Sequence, residues 1–170
     1  MSAEDTSPSP ELGRSAQRVA EELRRRGAEV EVVELPASTR TAVEAASAIG
    51  CEVAQIAKSL VFRTAETSRP VLVIASGANR VEVAILAAQL GEQVVRADPD
   101  WVRETTGFAI GGIPPVAHRT APVTYIDEDL LQLEEIWAAA GTPNSVFRMR
   151  GADLPRLTGG TILRLRGGSA

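Results

Sequence analysis

The fold is decided by the stretch Ala57-Lys58-Ser59-Leu60-Val61-Phe62-Arg63-Thr64 and by the run that follows it, Pro70-Val71-Leu72-Val73-Ile74-Ala75. Both runs are rich in apolar and β-branched residues and a polar turn joins them, which predicts two β-strands. Because their apolar content is nearly continuous, we expect central strands that are buried on both faces. The rest of the domain should assemble around this pair.

Helices and short strands alternate along the rest of the chain. Apolar spacing, caps and glycine stops predict helices at residues 11–26, 38–48, 52–55, 81–90, 98–105, 127–131 and 152–157. Further strands are predicted at residues 30–35, 94–96, 124–127, 136–140, 144–149 and 161–165. This order favours one α+β, or mixed α/β, domain over residues 11–166 with a central curved sheet. Residues 1–10 and 167–170 are expected to form a disordered and a flexible tail.

Two of the predicted helices carry recognisable start signals. Ser38 or Thr39 is the expected cap of the helix that runs to residue 48, and Thr41 and Glu44 have the spacing of a capping box. Asp98 is the expected cap of a later helix, because proline follows it at the first helical position.

Composition places the chain among ordinary globular proteins. Of its 170 residues, 44% are hydrophobic and 24% are charged, and the net charge is −4. That balance argues against a protein that holds long nucleic acids by charge alone. No apolar run approaches the roughly 20 residues that span a bilayer, and the polar, acidic start does not resemble a secretory signal. Cys51 is the only cysteine, so no intrachain disulfide can form, and we expect a cytoplasmic protein.

Lys58 is the only lysine, whereas seventeen of the eighteen basic residues are arginine. Such a chain should keep lysine where a compact ammonium on a flexible stem is needed, because the two side chains are not interchangeable. Lys58 also lies near the start of a buried strand, where an ammonium is costly unless it meets an anion or solvent. A phosphate or a terminal ribose would suit it. The alternatives are coincidence, or a packing site too tight for a guanidinium.

The common catalytic sites are missing from the sequence. A cysteine or serine nucleophile would need His118, the only histidine, as its base, and the apolar helical context of Cys51 favours an inert thiol. The nucleophile elbow, the phosphate-binding loop and the dinucleotide fingerprint do not occur. One His and one Cys exclude a zinc site built from these residue types alone, and no spacing suggests a carboxylate site. We therefore expect neither a metal nor a cofactor.

A glycine- and proline-rich loop at residues 107–115 offers a different chemistry. Glycine lets the backbone approach a ligand closely, and proline fixes the shape of the loop. The backbone N–H groups of Gly111, Gly112 and Ile113 can stabilise a developing oxyanion or orient a water molecule. Pro114 and Pro115 have no N–H to donate and can only shape the loop. A plain wide turn between two elements is the alternative.

Three motifs, in this order along the chain, resemble those of one known family. Ala57-Lys58-Ser59-Leu60-Val61-Phe62, Leu72-Val73-Ile74-Ala75-Ser76-Gly77 and Gly107-Phe108-Ala109-Ile110-Gly111-Gly112-Ile113-Pro114-Pro115-Val116 are similar to motifs of the YbaK family. This family is related to the editing insertion of bacterial prolyl-tRNA synthetases. Residues 140–144 and 153–159 fit its C-terminal pattern, so the resemblance runs from about residue 32 to residue 165.

The resemblance implies a compact mixed α/β domain with a barrel-like sheet, and the activity of a free-standing aminoacyl-tRNA deacylase. Such enzymes hydrolyse the ester between a wrong amino acid and the 3′ end of a tRNA, often tRNA-Pro or tRNA-Cys, in a substrate-assisted reaction without a protein nucleophile. Lys58 matches the lysine that holds the terminal adenosine or its phosphate. Residues 111–115 match the loop that lines the amino-acid pocket, for which a small residue such as Ala, Ser or Cys is expected.

The residues and the resemblance together give a candidate site. Lys58, Gly111 and Gly112 are the catalytic candidates, and the substrate-binding candidates are Ile113, Pro114, Pro115, Ser76, His118, Asn144 and Ser145. The expected partner is the acceptor end of a mischarged tRNA. An aminoacyl-tRNA synthetase and a second copy of the chain are further candidate partners, and no membrane is expected.

The chain departs from the family's pattern at three places. The turn at residues 141–144 lacks the basic pair that some relatives carry, Pro114 stands where many have serine, and His118 where many have glycine or glutamine. Two other functions stay open, the first because of the acidic balance and the missing basic pair, and the second because it could use the same loop. One is a module that binds a tRNA end, a nucleotide or a synthetase without turnover, and the other is a small-molecule esterase.

Overall fold

The computed structural model describes residues 13–166, and the tails predicted at residues 1–10 and 167–170 lie outside this range. The helices are α1 Arg14–Arg25, α2 Ala42–Ile49, α3 Val83–Leu90, α4 Pro99–Thr106 and α5 Leu154–Thr158. The strands are β1 Val32–Glu34, β2 Ile56–Thr64, β3 Pro70–Ser76, β4 Val94–Arg96, β5 Val123–Asp127, β6 Ile136–Ala139, β7 Ser145–Met149 and β8 Thr161–Leu163. Among the described residues, no helix combines the length and apolar character that a membrane span requires.

Within this range the strands form one mixed sheet in the order β1-β7-β6-β2-β3-β5-β8, and β4 pairs with β2. The central pair, β2 and β3, is antiparallel from Ala57 opposite Ser76 to Arg63 opposite Pro70. β6 runs parallel to β2, and β3, β5 and β8 run parallel to one another. The predicted single mixed α/β domain with a central sheet is confirmed.

The core lies on both faces of β3, which is buried from Val71 to Ser76. One face packs against α1 through Val19 and Leu23, and the other against α3 through Leu86. The prediction of burial on both faces is therefore correct for β3. It is wrong for β2, whose residues 58–63 are only partly buried, because one edge of β2 borders an open cleft.

α2 begins slightly later than the cap signals predicted. Its cap is Thr41, whose Oγ1 accepts a hydrogen bond from the Glu44 N–H at 3.1 Å, while the Glu44 carboxylate accepts one from the Thr41 N–H at 3.3 Å. This capping box was predicted, whereas a cap at Ser38 or Thr39 is wrong. Thr39 is instead buried, and both its N–H and its hydroxyl donate to the Pro143 carbonyl. The predicted Asp98 cap of α4 is confirmed by its bond from the Trp101 N–H.

Candidate functional site

A cleft of about 160 Å³ opens along one edge of β2. Four segments build it: residues 39–42 with α2, the first half of β2, the loop at residues 110–113, and β6 with part of β7. Its floor is apolar, from small and medium side chains such as Ala45, Ile49 and Ile56, with Trp137 beside them. Exposed Arg40 and half-buried Lys58 add charge to its lining, so the cleft suits a ligand with one small apolar end and one polar end.

The edge of β2 that faces away from β3 is partly open. Two other strands pair with its two ends and leave the middle unpaired. Gly77 donates its N–H to the Ile56 carbonyl and Thr64 donates its N–H to the Arg69 carbonyl. Since hydrogen bonding alternates along an antiparallel pair, the even-numbered residues of β2 bond to β3, and the backbone groups of Ser59 point to the other edge. On that edge β6 pairs with β2 only at residues 56–57, and β4 only at residues 62–64. No described strand pairs with residues 58–61 there, and residues 58–60 line the cleft.

Lys58 lies at the start of this open stretch and lines the cleft. Burial lowers the pKa of its ammonium below the usual value, the carboxylate of Asp127 opposes that shift, and Arg80 adds to it. Among residues 13–166 the ammonium makes no hydrogen bond or salt bridge. Lys58 is therefore a partly desolvated cation with unused donors at the mouth of the cleft, where an anion or a ribose hydroxyl would stabilise it.

The loop at residues 111–115 closes the cleft opposite β2, and its glycines are required there. Gly111 has a φ of +100°, which strongly favours glycine. A Cβ on Gly112 would lie 2.6 Å from the carbonyl carbon of Thr142, so only a glycine lets the two backbones approach. Gly111 and Ile113 line the cleft, whereas Gly112 is buried behind it.

The backbone donors of this loop divide into two groups. The N–H of Gly112 bonds to the Ala109 carbonyl at 3.1 Å, so this expected oxyanion donor is already engaged within the loop. The N–H groups of Gly111 and Ile113 have no acceptor among the described residues. Both residues line the cleft, and a backbone N–H rarely stays without a partner, so these two donors are candidates for bonds to a ligand there.

His118 stands behind the loop rather than in the cleft. Its Nε2 contacts the Pro114 carbonyl at 2.7 Å, and because a carbonyl only accepts, Nε2 carries the proton. Nδ1 is then the unprotonated nitrogen, and it is buried without a partner among the described residues. Burial lowers the pKa of the imidazole, the bond to Pro114 opposes this, and Arg26 adds to the lowering. Pro114 and Pro115 are likewise buried and do not line the cleft.

The turn at residues 141–144 connects two walls of the cleft. Thr142 contacts Gly112, and its hydroxyl lies 2.6 Å from the Ser145 hydroxyl. Asn144 donates its side-chain amide to the Leu35 carbonyl at 3.0 Å, and its own carbonyl accepts from the Leu35 N–H at 2.7 Å. Of the two substrate-binding candidates, Asn144 therefore holds the segment before α2 and Ser145 holds the turn, and neither lines the cleft itself.

Ser76, the remaining candidate, is also buried outside the cleft. Its hydroxyl donates to the Ala54 carbonyl at 2.8 Å, and its N–H donates to the Asp127 carboxylate at 3.0 Å. Asp127 is fully buried and also accepts from the side-chain amide of Asn79 at 2.8 Å. This network fixes the end of β3 against β5 and places the Asp127 charge near Lys58.

Among the cleft residues that the sequence did not single out, Arg40, Ser59 and Ile110 bear most directly on a ligand. Arg40 lines its mouth, and the stem of this exposed side chain lies against Gly111. Ser59 has a buried hydroxyl without a partner among the described residues. Ile110 is an apolar side chain that is 54% exposed at the rim. Of these three, only Ile110 could have been suspected from the sequence, because it directly precedes the glycine pair Gly111-Gly112.

No standard nucleophile is assembled in the cleft. Cys51 is absent from its lining, and burial raises the pKa of the thiol, with Glu135 adding to the shift. A thiol whose pKa is raised is a poor nucleophile at neutral pH. Within residues 13–166, no three His, Cys, Asp or Glu side chains come together as a metal site would require.

This chain is similar to known proteins in both sequence and fold. Residues 36–157 match the family model described as "Aminoacyl-tRNA editing domain". A crystal structure of a "putative trans-editing enzyme for prolyl tRNA synthetase" superposes with a TM-score of 0.86 at 49% identity, over 93% of this chain and 100% of that one. The hypothetical protein APE2540 superposes with a TM-score of 0.81 at 26% identity, over 87% and 98% of the two chains.

One curated protein is also similar in sequence. The uncharacterized protein YwhH of Bacillus subtilis (strain 168) is 31% identical over 126 residues, which are 74% of this chain and 80% of that protein. The matched family region spans all four segments of the cleft, from Thr39 to Val146. The chain therefore belongs to the aminoacyl-tRNA editing domain family, the YbaK group that its motifs resemble.

Proposed function

We propose that this protein is a free-standing aminoacyl-tRNA deacylase, which hydrolyses the ester that joins a wrong, small amino acid to the 3′ end of a tRNA. It acts in the cytoplasm, where aminoacyl-tRNA is used. The observation that carries the proposal is the cleft itself. It joins an unpaired ammonium at Lys58, two unpaired N–H donors at Gly111 and Ile113, and an apolar floor of small volume.

Each part of the cleft has a role in this reaction. Lys58 and Arg40 bind the phosphate and ribose of the terminal adenosine at the mouth, where both cations lie. The amino-acid side chain enters the apolar floor near Ala45 and Ile49, which offers no charged partner and little room. The small apolar floor favours small amino acids, and the family relationship points to tRNA-Pro and tRNA-Cys. tRNA-Pro carrying alanine, serine or cysteine, and tRNA-Cys carrying alanine or serine, are the first substrates to test.

Water is the nucleophile in this proposal, since the cleft presents no activated side chain. The water oxygen bonds to the ester carbon, the bond from that carbon to the ribose oxygen breaks, and the proton from water passes to the departing ribose oxygen. The developing oxyanion is bound by the N–H groups of Gly111 and Ile113. Loss of one such donor costs about 10²–10³ in rate in other hydrolases, and an aminoacyl ester is activated enough for positioning and charge stabilisation to suffice.

The buried candidates support the cleft from behind. His118 holds the loop at the Pro114 carbonyl, and Asn144 and Ser145 hold the turn that both walls contact. Ser76 anchors Asp127 beside Lys58. In this proposal these residues affect the reaction by positioning the groups that touch substrate.

The test is a panel of tRNAs mischarged with small amino acids, with release of the labelled amino acid measured over time. Wild type should hydrolyse at least one member, and Lys58→Ala should fall to the uncatalysed rate while its unfolding transition stays cooperative. Arg148→Ala, at an exposed position outside the cleft, is the matched control and should keep full activity.

Other outcomes of the panel would contradict the proposal in different ways. Full activity of Lys58→Ala on the hydrolysed substrate would remove Lys58 from the mechanism. Binding of a tRNA without hydrolysis of any panel member would identify a binding module. Equal rates on free amino-acid esters and on aminoacyl-tRNA would indicate a small-molecule esterase.

A further inference from the structure

A second cavity of about 240 Å³ continues the cleft along β2 beyond Ile110. The two cavities share Ser59, Leu60, Ile110 and Ile113, so together they follow the open edge of β2 from residue 56 to residue 62. At about 3.3 Å per residue, Lys58 and Phe62 lie about 13 Å apart along the strand. The proposed function places the amino acid toward Ala45 and Ile49, so the stretch from Lys58 to Phe62 is left for another part of the ligand.

The second cavity presents the groups that bind a nucleotide. Phe62 and Arg96 are directly opposite each other in the β2–β4 ladder, and the bonded pairs of that ladder are the odd-numbered ones such as Arg63 and Val95. Phe62 and Arg96 are therefore a non-hydrogen-bonded pair, whose side chains lie close together on one face. Arg96 is exposed and makes no hydrogen bond or ion pair with any residue in the described part of the chain.

Ser59, at the junction of the two cavities, has polar groups without a hydrogen-bond partner among the described residues. The Ser59 hydroxyl is buried there with no hydrogen bond from the described residues, and a buried hydroxyl without a partner is costly. The backbone of Ser59 and Val61 points to the unpaired edge of β2, where no described strand meets it. A ligand with hydroxyl and phosphate groups would find unpaired backbone donors and acceptors along this strand edge.

We propose that this second cavity binds the nucleotide that precedes the terminal adenosine. Its base packs on Phe62, its 5′ phosphate pairs with Arg96 on the same face, and the sugar-phosphate link to the adenosine passes the open edge of β2 at Ser59. The inference rests on the proposed function, because it names the part of the RNA that the same cleft takes. Such a subsite would make the protein bind RNA ends more tightly than free aminoacyl esters, which have no second nucleotide.

Binding of short nucleotides tests the subsite without any hydrolysis. Calorimetry compares adenosine 5′-monophosphate with the dinucleotide pCpA, for wild type and for Arg96→Gln. Wild type should bind pCpA about 10- to 100-fold more tightly, the range for one hydrogen bond to a charged group. Arg96→Gln should lose most of that difference and bind the mononucleotide as wild type does. Arg96→Lys should restore part of it, and Arg148→Gln should behave as wild type.

Hydrolysis then separates this inference from the proposed function. Arg96→Gln should cleave an aminoacyl ester of adenosine at the wild-type rate and be slower only on the aminoacyl dinucleotide and on tRNA. Equal affinity of wild type for the mononucleotide and pCpA, or an equal loss on all substrates, would overturn the second subsite. Preference for pCpA with no hydrolysis of any ester would instead keep the subsite and overturn the deacylase.

Discussion

Gly112 and Thr142 touch backbone to backbone, so that a Cβ on Gly112 would lie 2.6 Å from the Thr142 carbonyl carbon and 2.7 Å from its Cα. Backbone atoms cannot rotate away as the end of a side chain can. The turn that contains Thr142 also accepts both donors of Thr39 through the Pro143 carbonyl. This turn therefore sets the distance between the loop on one side of the cleft and the segment carrying Arg40 on the other.

Gly112→Ala should disturb both stability and activity. The added methyl group forces the loop and the turn apart, and overpacking of this kind costs about 1–3 kcal/mol. Because the displaced loop carries Gly111 and Ile113, deacylation should fall by more than the loss of folded protein explains. Urea unfolding and the rate on the best panel substrate measure the two effects.

Gly13→Ala is the control for this substitution. Gly13 has a φ of −62° and nothing within 4 Å of its ideal Cβ. Its replacement should leave deacylation unchanged, with at most a small loss of stability from a weaker helix cap. A Gly112→Ala protein that unfolds and hydrolyses as wild type does would show that the Thr142 contact does not position the loop.

Arg40→Ala should weaken the interaction with RNA while leaving the fold intact. The guanidinium is exposed at the mouth of the cleft and has no partner among the described residues, so its loss removes no internal bond. One charge-assisted bond to phosphate is worth about 1.5–3 kcal/mol, which corresponds to roughly a 10- to 100-fold lower kcat/KM.

Salt dependence gives a second readout for Arg40. Removing one phosphate contact should reduce the slope of log binding constant against log salt by about 0.7 for a single-stranded end. Arg148→Ala should change neither kcat/KM nor the slope. An unchanged slope in Arg40→Ala would mean that the guanidinium does not reach a phosphate.

Local signals explain what the sequence could predict. The β2–β3 pair, the Thr41–Glu44 capping box and the Asp98 cap depend on residues that are close in the chain, and all three are confirmed. Lys58 was conspicuous because it is the only lysine among eighteen basic residues. The loop at residues 111–115 was marked by its own glycines and prolines.

Long-range pairing explains what the sequence could not predict. The cleft exists because β6 and β4 share one edge of β2 and leave residues 58–61 open, and nothing local specifies that division. For the same reason the sequence could not show that Arg40 lies beside the loop, that Arg96 lies beside Phe62, or that Ser59 lines the cleft. His118 follows the loop closely in sequence, yet its side chain turns to the Pro114 carbonyl behind the cleft.

His118 should make the protein less stable in mild acid. Burial lowers the pKa of the folded imidazole, so the unfolded state binds a proton more readily than the folded state. Stability contributed by the neutral ring is complete above the unfolded pKa of about 6.5 and declines as pH falls toward the folded pKa, by at most about 1.4 kcal/mol per pH unit. Urea unfolding at pH 7.5 and at pH values below about 6.5 measures the decline.

His118→Gln separates this group from the carboxylates that titrate at lower pH. The glutamine amide keeps a donor for the Pro114 carbonyl but takes up no proton, so the variant should lose less stability than wild type over the same interval. Parallel pH profiles for the two proteins would contradict the assignment of this pH dependence to His118.

Lys58→Met should raise stability at neutral pH while it abolishes deacylation. Burial lowers the pKa of the folded ammonium, and the Asp127 carboxylate only partly offsets this. The unfolded chain therefore binds the proton more tightly, and the cost of the buried charge is fully present below the folded pKa. That cost fades as pH rises from the folded pKa to the unfolded value, so the stability advantage of methionine should shrink in alkali.

Urea unfolding of both proteins at pH 7.5 and in alkali measures the difference in stability and how it changes with pH. A Lys58→Met protein less stable than wild type at pH 7.5 would show that the attraction of Asp127 exceeds the burial cost, and that the lysine is kept for structure rather than for an anionic ligand.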